Sequence, residues 1–153
     1  MAQSLSKLYI HLIFHIKTKS VLIRDEHKNE LYAYIGSIIN DNESIPIQIN
    51  GTNNHIHVLC IMSKNISLAK LIEEIKRHSS RWIKTNDSYY KNFAWQGGYG
   101  AFSYSQTHLK NVINYILNQE EHHKKTTFIE EYRNFVKAFE VEYDERYILR
   151  EPE

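Results

Sequence analysis

His55-Ile56-His57 lies in an apolar run, His55 to Met62, of the kind that forms a β-strand. Side chains two apart on a strand point to the same side. At a rise of about 3.3 Å per residue, their Cα atoms stand roughly 6.5 Å apart, and two imidazoles at that separation can converge on one metal ion. The same spacing also describes two inert histidines hydrogen-bonded on a half-buried strand. Tyr115 and Gln119 are four apart in a stretch with helical periodicity, so they are neighbours on one face. The glutamine carbonyl oxygen can serve as a third ligand beside two imidazoles. The alternative is a tyrosine at a core boundary and a solvated glutamine. Taken together, the four residues suggest one chemistry. A tyrosine hydroxyl, with a pKa of about 10, is a poor nucleophile while neutral. A divalent ion would neutralise charge on a phosphodiester and make its phosphorus more electrophilic. The resulting phosphotyrosine ester would keep the bond energy for rejoining. No Gly-rich phosphate loop of the Walker type is present, so no nucleotide cofactor is expected.

These residues need elements to hold them. Leu8 to Ile16 alternates Leu8, Ile10, Leu12, Phe14 and Ile16 against Tyr9, His11, Ile13 and His15, which predicts a strand. Asp25 to Asn40 carries Leu31, Tyr34, Ile35, Ile38 and Ile39 at helical spacing behind an acidic start. Ile45 to Ile49 reads as a second strand, joined to the histidine strand by the turn Gly51-Thr52-Asn53-Asn54. Ser67 can cap a helix with the stripe Leu68, Leu71, Ile72, Ile75 and Trp82. Phe93 to Gln96 and Ala101 to Ser105 read as strands around Gly97-Gly98-Tyr99-Gly100, which is either a tight bend or a flexible joint. Thr107 to His123 is expected as one helix with Leu109, Val112, Ile113, Ile116 and Leu117 inward, and Phe128 to Phe139 as another. Hairpins make the sheet mainly antiparallel. The expected fold is therefore α+β, a two-layer sandwich with helices packed on one face, in a single domain over residues 1–153.

Bulk properties narrow the class. The 153 residues are 42% hydrophobic and 24% charged, as in an ordinary folded chain. Nineteen basic against eighteen acidic residues give a charge of +1, so any surface for nucleic acid must be local. Lys76, Arg77, Arg81 and Lys84 lie off the apolar stripe of their helix and can contact phosphates, or form a solvated face. Trp95 and Tyr99 can stack on bases or join the core. One cysteine, Cys60, excludes an internal disulfide, and no signal peptide or bilayer span is read at the start or elsewhere. A cytoplasmic protein is the expectation. His11 and His15 share a strand face and either sit near the sheet's metal side or fit sheet packing. His122 and His123 end the tyrosine helix and are expected in solvent, where they can touch DNA.

The chain resembles the HUH nucleases, and within them the small single-tyrosine transposases of bacterial and archaeal insertion sequences. The resemblance runs from Leu5 to Tyr143. It is carried by four motifs in order: Asn50-Gly51 with His55-Ile56-His57-Val58-Leu59, Lys76 to Trp82, Trp95-Gln96-Gly97-Gly98-Tyr99-Gly100, and Tyr115-Ile116-Leu117-Asn118-Gln119-Glu120-Glu121-His122-His123. It implies a ferredoxin-like sheet, His55, His57 and Gln119 as ligands of Mg²⁺ or Mn²⁺, and Tyr115 as nucleophile. It also implies single-stranded DNA folded into a hairpin as substrate, and a homodimer in which the tyrosine helix of one subunit can complete the site of the other. Two readings stand beside active transposition: a domesticated nuclease that processes hairpins, and a nucleic-acid-binding relative without catalysis. The family often has proline and aspartate before the first histidine. Here Asn53-Asn54 stand there, which removes a carboxylate that would orient His55.

Overall fold

Alternation along the first strand buries both of its faces, and that decides the architecture. In the computed structural model, which describes residues 2–144, four antiparallel strands form one sheet. They are β1 (Leu8–His15), β2 (Ile45–Gly51), β3 (His55–Met62) and β4 (Gly100–Tyr104), in the order β2-β3-β1-β4. Helices α1 (Asp25–Asp41) and α2 (Leu68–Asn86) cross over between strands. This is the ferredoxin-like βαββαβ arrangement. The register sets Leu12 beside Val58, Ile13 beside His57 and His15 beside His55.

On one face, Leu12, Phe14, Ile56, Val58 and Cys60 pack against Leu31, Ile35 and Ile39 of α1 and Leu71, Ile72 and Ile75 of α2. Burial there pushes the Cys60 thiol up to about 12, so it is a small apolar side chain rather than a nucleophile. Ser67 caps α2 by accepting from the Lys70 amide at 3.1 Å. Trp95, read as a candidate base-stacking residue, belongs to this core: its indole donates to Ser79 Oγ at 3.0 Å and it packs edge-on against Phe14 and Phe93.

The antiparallel sheet with helices on a face is thus as the sequence predicts, and the chain adds a second cover. After β4 come α3 (Leu109–Leu117), α4 (Gln119–His122) and α5 (Phe128–Ala138). They seal the opposite face, where Ile13 and Phe102 meet Phe128, Tyr132 and Val136, and Leu59 meets Val112 and Ile116. Three local expectations change. Residues 93–96 make one isolated bridge, Ile16 to Trp95, instead of a strand. The Gly97-Gly98 bend is fastened: Lys76 Nζ donates to the carbonyls of Gln96 at 2.9 Å and Gly98 at 2.6 Å, and Gly98 takes φ 90°, which glycine adopts without strain. The expected helix 107–123 begins as a 3₁₀ turn and opens at Asn118 (φ −97°, ψ 20°), dividing it into α3 and α4.

Candidate functional site

The second sheet face is where the polar groups gather. His11, His15, His55 and His57 all point there and are buried. The hairpin that delivers His55 requires glycine at position 51, since a Cβ there would overlap the His55 carbonyl oxygen. Asn50 sets the tyrosine helix against β2. Its amide donates to the carbonyls of Ile116 at 2.9 Å and Leu117 at 3.2 Å, satisfying the end of α3 just before the Asn118 opening. Tyr115 therefore sits in the last turn of α3, and Gln119 opens α4.

Gln119 is fully buried, with Oε1 3.0 Å from His55 Nε2, and its amide nitrogen donates to Glu131 Oε2 at 3.0 Å. His57 Nε2 lies 2.9 Å from Glu131 Oε1. The Tyr115 hydroxyl donates to Glu131 Oε2 and lies 3.3 Å from His122 Nε2. The predicted residues His55, His57, Tyr115 and Gln119 are thus brought together within one chain.

Each histidine is also held from behind. Asn54 Oδ1 accepts from His55 Nδ1 at 2.8 Å, with Thr52 Oγ1 at 2.9 Å. The expected loss of an orienting carboxylate is made good by an amide oxygen and a hydroxyl. His57 Nδ1 pairs with His11 Nε2 at 2.7 Å, so His11 braces the second histidine rather than merely packing the sheet.

The donor set fits a divalent cation. Asn54 Oδ1 can only accept, which puts the His55 proton on Nδ1 and leaves Nε2 bare. Gln119 presents its carbonyl oxygen to that nitrogen, so two lone pairs face each other across 3.0 Å. A shared cation relieves the opposition. Burial pulls the His55 imidazole down to about 4, which keeps it neutral, as a ligand must be. Burial, then the neighbouring Glu131 carboxylate, raises the Tyr115 hydroxyl well above its ordinary range. At rest it is a neutral phenol. For Glu131, burial pushes upward, but the histidines packed against it, His123 and His57 foremost, outweigh it and hold the carboxyl ionised.

Three groups in this cluster, His122, His123 and Glu131, were not assigned to the site from the sequence. His123, expected in solvent, lies with Nε2 3.1 Å from Glu131 Oε1 and its ring against His55. His122 also turns inward, 3.3 Å from Glu131 Oε2. Ligand atoms of His55, His57, His123 and Glu131 fall within 4.8 Å of one another. Glu131 carried a signal: it lies on the apolar stripe of α5 between Phe128 and Phe135, where a carboxylate is out of place unless it has work to do.

The family model for IS200-like transposases matches residues 4–119, a span that contains all four of the predicted site residues. The chain belongs to the IS200-like transposase family. It is thereby a DNA-processing enzyme by family. Two solved structures share the fold of this family member. One is a transposase candidate from Deinococcus radiodurans R1, 19% identical, with TM-score 0.60, covering 78% of this chain and 98% of that one. The other is a REP-associated tyrosine transposase bound to a REP hairpin, 12% identical, with TM-score 0.59, covering 80% and 74%. No curated protein matches the chain.

Away from this cluster, α2 and the bend after Trp95 enclose a groove of 620 Å³ lined by Lys76, Arg77, Arg81, Lys84 and Gln96. Lys76 is turned into the bend, and Arg77 pairs with Glu74 at 3.0 Å. Arg81 and Lys84 are exposed and form no ion pair among the described residues. No helix among the described residues is long and apolar enough to cross a membrane.

Proposed function

We propose that this transposase cleaves and rejoins single-stranded DNA through a covalent 5′-phosphotyrosine at Tyr115, using a divalent ion, Mg²⁺ or Mn²⁺, held by His55, His57 and Gln119. What carries the reading is the meeting of a tyrosine hydroxyl with the His55–His57–Gln119 donor set in one buried cluster. In the cleavage step the Tyr115 oxygen bonds to phosphorus. The bond from phosphorus to the departing 3′ oxygen breaks, and its electron pair leaves with that oxygen, which takes up a proton. The hydroxyl proton has two acceptors in reach, Glu131 Oε2 and His122 Nε2. A bound divalent ion supplies charge neutralisation at the non-bridging oxygens. Two imidazoles and an amide oxygen suit Mn²⁺ better than Mg²⁺. The deciding experiment incubates end-labelled single strands from the DNA flanking the gene with protein and Mn²⁺. Cleaved strand bearing covalently attached protein supports the reading, and intact strand with bound protein supports a non-catalytic relative. Flanking inverted repeats and target sites distinguish an active element from a domesticated nuclease.

Hairpin DNA is the substrate we favour. It rests on the family and on the related fold solved with a REP hairpin. The groove beside α2 is our choice for backbone contacts, with Arg77, Arg81 and Lys84 at its rim and Lys76 shaping its wall. Replacing Arg81 and Lys84 together by alanine should weaken DNA binding equally for all sequences. It should also flatten the dependence of log K on log salt by about 1.4, from about 0.7 per lost contact on single strands. A slope unchanged in a filter-binding titration would remove both residues from the interface.

A homodimer is the assembly we favour, because β2 and β4 are sheet edges with unpaired backbone groups that a two-fold axis can pair. Tyr115 reaches the histidines of its own chain, with its ring 5.8 Å from that of His57. Mixing inactive Tyr115→Phe with inactive His57→Ala should therefore leave cleavage dead. Recovery of activity would mean that the tyrosine helix is exchanged between subunits. Sedimentation showing only monomer, with and without DNA, would exclude the dimer.

A further inference from the structure

We propose that Glu131 is a fourth protein ligand of the metal and, through its second oxygen, the group that positions the Tyr115 hydroxyl. This rests on the reading of His55 and His57 as metal ligands, and it assigns to the chain a residue outside the segment that matches the family. That segment ends at Gln119, whereas Glu131 comes one turn into α5. The helix is capped by Thr127, which accepts from the Glu130 amide, and anchored by Phe128, Tyr132 and Val136. These contacts press the Glu131 side chain, 2% exposed, into the site.

The two oxygens face different groups. Oε1 lies 2.9 Å from His57 Nε2, 3.1 Å from His123 Nε2 and 3.5 Å from His55 Nε2. Oε2 takes the Tyr115 hydroxyl and the Gln119 amide, with His122 Nε2 at 3.3 Å. A carboxylate can bind a metal through one oxygen and accept a hydrogen bond through the other, so the two contact sets are compatible. The ion-pair partners described for Glu131 are all histidines. A buried carboxylate whose described ion-pair partners are all imidazoles lacks a fixed positive partner, and isolated buried charge is costly. A divalent ion among His55, His57 and Gln119 supplies that charge. Oε1 adds to the donor set its only anion, and Oε2 fixes the attacking oxygen at a set distance from the same centre. The competing idea is a plug: Glu131 occupies the place of the scissile phosphate and must withdraw with α5 before DNA enters.

Calorimetric titration of metal-free protein with Mn²⁺ separates these. Glu131→Gln keeps the volume and the capacity to hydrogen-bond but removes the anion. It should weaken Mn²⁺ binding by about 100-fold or more, beyond the 10–100-fold typical of groups that only orient a ligand, with cleavage reduced. Unchanged Mn²⁺ affinity with faster cleavage would overturn the proposal in favour of the plug, and unchanged affinity alone would also overturn it. His55→Ala in the same titration guards the underlying reading. If it abolishes binding while Glu131→Gln does not, only the role of Glu131 fails. If His55→Ala also binds Mn²⁺ normally, the metal reading of the histidine pair fails. Should Glu131→Gln not fold, the wild type labelled with ¹³C at its glutamate carboxyls gives a second readout. Substoichiometric Mn²⁺ should broaden one buried carboxyl resonance beyond detection, and a spectrum broadened only at exposed glutamates would overturn the assignment.

Discussion

Tyr115→Phe is expected to abolish covalent attachment to DNA and to lower strand cleavage by at least about 10³-fold. The substitution deletes one oxygen. The ring keeps its edge contacts with His57, His122 and Phe135, so the packing of α3 on the sheet survives. The cost to the fold is one hydrogen bond, about 1 kcal/mol, which the loss of phenol solvation on burial partly offsets. Hairpin binding should be unaffected, since the proposed backbone contacts lie beside α2. The measurement is a denaturing gel with labelled strand, where wild type gives a protein–DNA band and the variant none. A persistent band would transfer the nucleophile to another tyrosine. Tyr104 is the neighbour to examine first, because it lines the same 380 Å³ cavity as Tyr115 and Glu131.

The second large effect is expected at the histidine pair. His57→Ala should weaken Mn²⁺ binding by more than about 100-fold, since a direct ligand exceeds the 10–100-fold typical of groups that only orient one. Cleavage with Mn²⁺ or Mg²⁺ should be lost. His57 is fully buried between His11 and Glu131, so alanine also leaves His11 Nε2 unpaired, at about 1–3 kcal/mol, and takes one of several partners from Glu131. His57→Gln keeps most of the volume and separates loss of metal from loss of fold: it should melt closer to wild type yet remain inactive. Gln119→Ala should be milder, because water can replace a neutral oxygen ligand. Equal loss of Mn²⁺ affinity for the histidine and glutamine variants in calorimetry would refute that ranking.

The positions of these four residues in the chain made them candidates, and the ordered motifs of the family resemblance singled them out. Alternation with period two dictates that His55 and His57 share a side, and a spacing of four on a helix dictates the same for Tyr115 and Gln119. Both rules are local, set by backbone geometry, and hold wherever the segment folds. The sheet was legible for the same reason, as were both crossover helices: each has a stripe that must be buried and a clear start, as at Ser67.

Contacts between segments distant in sequence escaped that reading. The apolar stripe of α5 says which face is buried but not what covers it, so Glu131 had no partners to name until Phe128, Tyr132 and Val136 were docked on Ile13 and Phe102. His122 and His123 read as the solvated end of a long helix. The opening at Asn118, beside carbonyls taken by Asn50 from another strand, turns them inward. Lys76 read as a cation for phosphate, and only the folded-back bend gives it the two carbonyls it binds. The sequence by itself determined which residue types could do the chemistry and which side of each element they occupy, because period and propensity act within a few residues. The tertiary structure decided which charges stay in water and which are buried against the site, because desolvation and long-range packing depend on segments that the chain brings together only on folding.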